Sequence, residues 1–323
     1  MSLAPRVKAA EHAGEPGQVK SPALAVLGAD DPAGVAFLQL LEEREIPIGR
    51  LFPLSLHETD STVAYQGRDW PCEPVEGFDF GQVQVLVAVG RSAATARVLG
   101  AIRSAHAQLA ILAAEHTDPA PAHAVARLLK VLGALGGAVS ADVFLALPVA
   151  DLGQAGVEEL ASQTRGLFSM ESPEPEVFPL QIAFNLIPHG VSTEPDLERT
   201  LEAAMERLAP GARVHFSVIW APLFYGSCAM LHARLTNAVD VEGLRQAFRH
   251  RDDLVLMEAD LAAGTPTPAT DAQGSDKVFV SRIRVEDGCA KFWLVFDSAW
   301  LEASMLADGL ENWIDYPARS MLT

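Results

Sequence analysis

The stretch Ala23–Arg44 constrains this chain more than any other, because it reads as a strand, a glycine turn and a helix in immediate succession. Ala23 to Leu27 is a short apolar run with strand character. Gly28 breaks it, and Val35, Leu38 and Leu41 then recur at helical spacing. Strand, tight turn and helix make the opening βα unit of a dinucleotide-binding fold, where a pyrophosphate rests on the helix N-terminus. Here the turn reads Gly28-Ala29-Asp30-Asp31-Pro32-Ala33-Gly34. Two carboxylates stand where a dianionic ligand needs bare backbone, and both charge and bulk oppose binding. The same residues also read as a plain helix start, with Asp30 or Asp31 as cap and Pro32 at the first helical position. Gly28, Asp31 and Gly34 are thus a vestigial cofactor turn.

The pattern after this unit keeps alternating. Ile48 to Leu56 and Val83 to Val89 read as strands, Ala93 to Ala107 as a helix, and Leu109 to Ala113 as a further buried strand. Continuous apolar strands spaced by helices imply a parallel sheet covered on both faces. His116 to Pro121 is a proline-rich loop, and Ala122 to Leu135 a helix leaving that sheet. The second half changes character. A strand at Val143 to Leu147 precedes helices over Ala150 to Thr164 and Thr193 to Leu208. Residues 214–220, 231–235, 278–285 and 292–296 then alternate with period two, which suits a largely antiparallel sheet with helices on one side. The last helix, Ser298 to Trp313, needs a partner surface and is expected to return to the first domain. Residues 1–21 lack periodicity and read as a disordered leader.

At 323 residues the chain is long enough for two domains. A net charge of −18 disfavours nucleic acid and anionic membrane as partners. No apolar run reaches the ~18 residues of a spanning helix, and no signal-peptide core opens the chain. The cysteines, Cys72, Cys228 and Cys289, are odd in number and widely spaced, which suits a reducing cytoplasm and gives no metal-type spacing.

Six stretches carry a resemblance: residues 27–44 (LeuGlyAla, then GlyValAlaPheLeuGlnLeuLeuGluGluArg), GluGlyPheAspPhe at 76–80, AlaGlyValGluGluLeu at 155–160, GlnIleAlaPheAsnLeuIlePro at 181–188, AlaProLeuPheTyrGly at 221–226 and PheTrpLeuValPheAsp at 292–297. In this order they resemble the aspartate-semialdehyde dehydrogenase family, and its divergent usg-type paralogues more closely. The resemblance implies an α/β fold class, with a Rossmann-like parallel-sheet N-terminal domain over 22–135. An α+β mixed-sheet domain of the catalytic and dimerisation type is implied over 136–297, with residues 298–323 returning to the first. It also implies a homodimer. Active members reduce aspartyl phosphate with NADPH through a thioester on cysteine.

The family's working positions, carried over one at a time, nearly all change. The middle of the cofactor turn becomes Asp30 and Asp31. The Ser and Arg that receive the NADP 2′-phosphate give way to Leu56-His57-Glu58-Thr59-Asp60. The catalytic cysteine, counted back from Leu129-Lys130, falls at Ala120. The general-base histidine becomes Ser227, the substrate-binding arginine ahead of it Trp220, and a late cofactor-holding asparagine Ser298. The segment bearing a second substrate arginine is missing between Ala114 and His116. Groups that act as one unit leave little when several go together. Local replacements are weak: Cys228 and His232 lie roughly 13 Å apart on one strand, Cys72 has no evident base, and His116 and His123 make a poor metal pair. Two classes of function follow. One is a non-catalytic homodimer that keeps the fold for binding or scaffolding, with no cofactor and no metal. The other is an active oxidoreductase of this family, with NADP as cofactor and ligands from other positions.

Overall fold

The computed structural model describes residues 21–56, 60–137, 139–170, 174–190, 196–257 and 264–316. Almost all of the expected leader over 1–21 lies outside these residues, as do His57, Glu58, Thr59, Glu171, Thr193 and Ala262. The first half runs β1 (Ala23–Leu27), α1 (Pro32–Glu43), β2 (Arg50–Ser55), a hairpin of β3 (Thr62–Tyr65) and β4 (Arg68–Pro71), β5 (Glu73–Pro74), β6 (Val85–Ala88), α2 (Ala93–Ala105) and β7 (Ala110–Ala113). Five of these strands form a wholly parallel sheet in the order β5-β2-β1-β6-β7. Its central strands are apolar at every position because alternate side chains enter two cores. Leu24, Val26, Val85 and Val87 face α1, whereas Ala25, Leu27, Leu86 and Ala88 face Leu99 and Ile102 of α2.

The second half runs α3 (Ala120–Gly136), β8 (Val139–Leu147), α4 (Gly153–Phe168), β9 (Ile187–Pro188), α5 (Leu197–Leu208), β10 (Arg213–Trp220), β11 (Ser227–Leu235), α6 (Val241–Arg249), β12 (Leu254–Leu256), β13 (Val278–Glu286), β14 (Cys289–Phe296) and α7 (Ser298–Asp315). Seven strands form a mixed sheet in the order β12-β13-β14-β11-β8-β10-β9, parallel only at β8–β10 and β12–β13. The inner face packs on α3, α5 and α6 through Leu128, Leu132, Leu201, Met205, Leu244 and Phe248. This cover differs from the two helices expected. α4 adds Leu160 and the partly buried Val157 and Leu167 to that core, while α6, short and buried through Leu244 and Phe248 alone, escaped the sequence reading.

The outer face of the mixed sheet is covered at one end by its own chain. Trp293 Nε1 donates to the Pro266 carbonyl at 2.8 Å, and a Cβ on Gly226 would stand 2.3 Å from the Pro268 carbonyl oxygen. Among the described residues the remainder is left open, with Phe144 and Met230 each 46% exposed. α7 leaves this sheet after seating Leu301 and Met305 against its core, and packs on α1, placing Leu306, Ala307, Leu310 and Trp313 in the core that holds Phe37 and Leu41.

Candidate functional site

β1 and β6 are neighbours, while the chain leaves β1 for β2 on one side and β6 for β7 on the other. The crevice beyond their carboxyl ends is the ligand position of open α/β sheets. The turn after β1 keeps its two outer glycines for steric reasons. Gly28 holds φ at 78°, and a Cβ there would meet Val89 Cγ2 at 2.8 Å. A Cβ on Gly34 would lie 2.1 Å from the Gly28 carbonyl oxygen, so α1 sits directly against the turn. Pro32 takes the first helical position as expected, and Asp31 the N-cap position by its backbone.

The Asp31 side chain does something the sequence did not suggest. It makes no capping bond to α1; its Oδ1 accepts instead from the backbone N–H of Gln154, at 3.1 Å, in the first turn of α4. The reason lies at the far end, where the N-cap of α4 is Leu152, which has no side-chain acceptor. An unpaired helix N-terminus attracts a carboxylate. Asp30 is likewise engaged elsewhere, accepting from Ser61 Oγ at 2.9 Å. Neither aspartate is therefore a side-chain cap of α1.

The turn after β6 carries a second carboxylate. Glu302 of α7 accepts from Gly90 N at 3.1 Å and from Arg91 Nε at 2.9 Å. The rest of the Arg91 guanidinium is spent on Thr117 O, Thr117 Oγ1 and Asp118 O at 2.8–3.1 Å. Asp118 in turn pairs with Arg207 of α5. Sequence reasoning missed Glu302 and Arg91 as a pair, since nothing local links a strand-ending turn to a helix 211 residues later. Asp151 joins the same acidic wall. Crowding by surrounding atoms, together with the Asp297 and Glu302 carboxylates, raises its pKa, while the side chain is exposed to solvent that screens both effects.

The remaining expected positions are scattered around this wall. Ala120 opens α3 and is buried. Ser227 begins β11, fully buried, with its Oγ 2.8 Å from Ser298 Oγ. Trp220 ends β10 and packs its ring edge-on against Phe178, with centroids 5.7 Å apart. Cys228 and His232 share the outer face of β11 with Met230 between them. Burial pushes the Cys228 thiol up to about 11, which leaves it protonated and unreactive at neutral pH. Burial also raises the Cys72 pKa. His123 lies on α3, where burial pulls its pKa down against the opposing pull of Asp118. His116 stands beside Arg103 and Glu115 on the loop before. Among the described residues no group of three His, Cys, Asp or Glu side chains could hold a metal ion.

The semialdehyde dehydrogenase dimerisation domain model matches residues 137–298. A USG-1 protein homolog of Azotobacter vinelandii is 30% identical over 317 residues, covering 86% of this chain and 94% of the homolog. The chain belongs to the semialdehyde dehydrogenase family. Aspartate-semialdehyde dehydrogenase 2 of Vibrio cholerae is 26% identical, over 85% of this semialdehyde dehydrogenase family member and 92% of the relative. Among solved structures, aspartate semialdehyde dehydrogenase II of Vibrio cholerae complexed with ASA superposes with a TM-score of 0.74 at 22% identity, covering 90% of this chain and 98% of that one. The Candida albicans enzyme with NADP gives a TM-score of 0.58 at 14% identity, with 90% and 98% covered. These likenesses show the fold: a parallel-sheet N-terminal part and a mixed-sheet C-terminal part, as the sequence had implied. No helix among the described residues is long and apolar enough to cross a membrane.

Proposed function

We propose that this semialdehyde dehydrogenase family member is a catalytically inactive, homodimeric paralogue of the usg type, with a binding or scaffolding role in the cytoplasm. The observation that carries this reading is the state of the two reacting positions. Ala120 offers no nucleophile at the head of α3, and Ser227 spends its hydroxyl on Ser298 inside the core. A buried hydroxyl pair with no imidazole within it has neither the base nor the access that thioester chemistry needs. NADP does not fit the crevice either: Asp31 lies at the first turn, and the Gly90 N–H is already bonded to Glu302. We assign the domains to 22–135 and 136–297, with 298–323 returning to the first. Homodimer formation is supported by the open apolar surface of the second half, where Phe144, Phe184, Leu186, Phe224 and Met230 are each 43–68% exposed.

The alternative is an active NADP-dependent oxidoreductase, favoured by 26% identity to an enzyme name over most of the chain. Purified protein given aspartate semialdehyde, phosphate and NADP should show no turnover above a no-enzyme control. Turnover abolished by Cys228→Ala would overturn the proposal. Light scattering at micromolar protein should give about 69 kDa, twice the 34.5 kDa chain, and a stable monomer would remove the dimer.

A further inference from the structure

Both turns that border the switch between β1 and β6 are served by carboxylates of the chain itself. Ligands that enter such a crevice are normally met by free backbone N–H groups of these turns and of adjoining helix starts. Here Asp31 reaches the N–H of Gln154, 123 residues away, at 3.1 Å. The approach is tight: Gly153 holds φ at 76°, and a Cβ there would lie 2.8 Å from Asp31 Oδ1. Glu302, only 8% exposed, takes the Gly90 N–H and Arg91 Nε from 212 and 211 residues away. The first bond joins the parallel-sheet half to the helix that follows β8. The second joins the same half to α7. Loss of a thiol and an imidazole would explain neither contact, since an enzyme that had lost only those groups would keep an open crevice.

We infer that the crevice is closed from within: Asp31 and Glu302 take the place of an anionic ligand and clasp the first half of the chain to α4 and α7. An incoming phosphate or pyrophosphate would have to displace a carboxylate already fixed beside the donors it needs. Removing Asp31 reverses this, because Leu152 cannot cap α4 in its stead. The vacated N–H of Gln154 is then free to meet an external anion.

Amide hydrogen exchange at Gln154 in the full chain, with and without millimolar inorganic pyrophosphate, tests the clasp. In the wild type the Gln154 amide should be protected, and pyrophosphate should change nothing. In Asp31→Ala it should exchange about tenfold faster or more, and pyrophosphate should slow it again. Asp31→Asn should fall between, since its side-chain oxygen still accepts. Pyrophosphate protecting Gln154 in the wild type would overturn the inference, and that arm needs no variant to fold. Unchanged exchange in Asp31→Ala would overturn it equally. Neither outcome depends on whether the protein turns over semialdehyde.

Discussion

Replacing Glu159 by alanine should destabilise the protein more than any change at the former catalytic positions. Glu159 lies on α4, 8% exposed, and its carboxylate accepts from the backbone N–H groups of Glu176 at 3.2 Å, Val177 and Phe178 at 3.4 Å. It also accepts from Gln163 Nε2 at 2.7 Å, and Gln163 Oε1 in turn holds the amides of Ile182 and Ala183 at 2.9 and 3.1 Å. Two side chains one helical turn apart thus pin five amides of the strap that leads to β9. A hydrogen bond to a charged group contributes about 1.5–3 kcal/mol, so four of them sum to about 6–12 kcal/mol. Water reaching the freed amides recovers part of this, and we expect a loss of about 3–5 kcal/mol for Glu159→Ala. That corresponds to a fall in Tm of about 4–7 °C for a chain of this size. Glu159→Gln keeps one acceptor oxygen but turns an NH2 group toward donors, and should cost about 2–3 kcal/mol. Differential scanning calorimetry reads both. A Tm within about 2 °C of wild type for Glu159→Ala would refute the idea that this carboxylate holds the strap.

Calorimetry with NADP should detect no binding below millimolar, because one like-charge pair at ~4 Å and an effective dielectric of about 20 costs on the order of 4 kcal/mol; a micromolar Kd would be contrary. Cys228 should resist iodoacetamide at pH 8 and react in the folded protein only as pH approaches about 11; rapid modification at pH 8 would contradict its burial. Asp151 carries a raised folded pKa that its solvent exposure screens, so its contribution to stability is lost as pH rises above ~4, and Asp151→Asn should flatten a shallow slope there in denaturant titrations. Gly34→Ala drives a Cβ to 2.1 Å from the Gly28 carbonyl and should cost about 3 kcal/mol or fail to fold, as thermal melts would show.

Much of the architecture was legible because it rests on local pattern. The apolar runs at 23–27 and 83–89 gave the parallel sheet, and the clean alternation of 214–220 gave β10, parallel on one side and antiparallel on the other. Gly28 and Gly34 were readable as residues of the turn, whereas the close seating of α1 that Gly34 permits was not. The hairpin β3–β4 and α6 were not, since four-residue strands and a nine-residue helix carry too few repeats to define a period. The sequence marked Asp31 as hostile to phosphate, but it pointed to a cap on α1. The true partner is decided by which distant helix arrives with an uncapped start, and Leu152 looks unremarkable until α4 is placed beside the turn. Glu302 and Ser298 belong to the same class, defined only by where α7 begins after β14.

The position of α7 has a consequence for how this chain is made. α1 emerges from the ribosome early, yet the apolar face it shares with Leu306, Ala307 and Leu310 cannot be covered until the whole mixed sheet has been synthesised. Arg44 and Asp308, bonded at 2.6 Å, are 264 residues apart. The first half is therefore a nascent chain with an open flank through most of translation, and its completion coincides with that of the second. Domains that finish in order of synthesis can fold one by one; these two must close together, so a break anywhere before α7 leaves both halves unfinished.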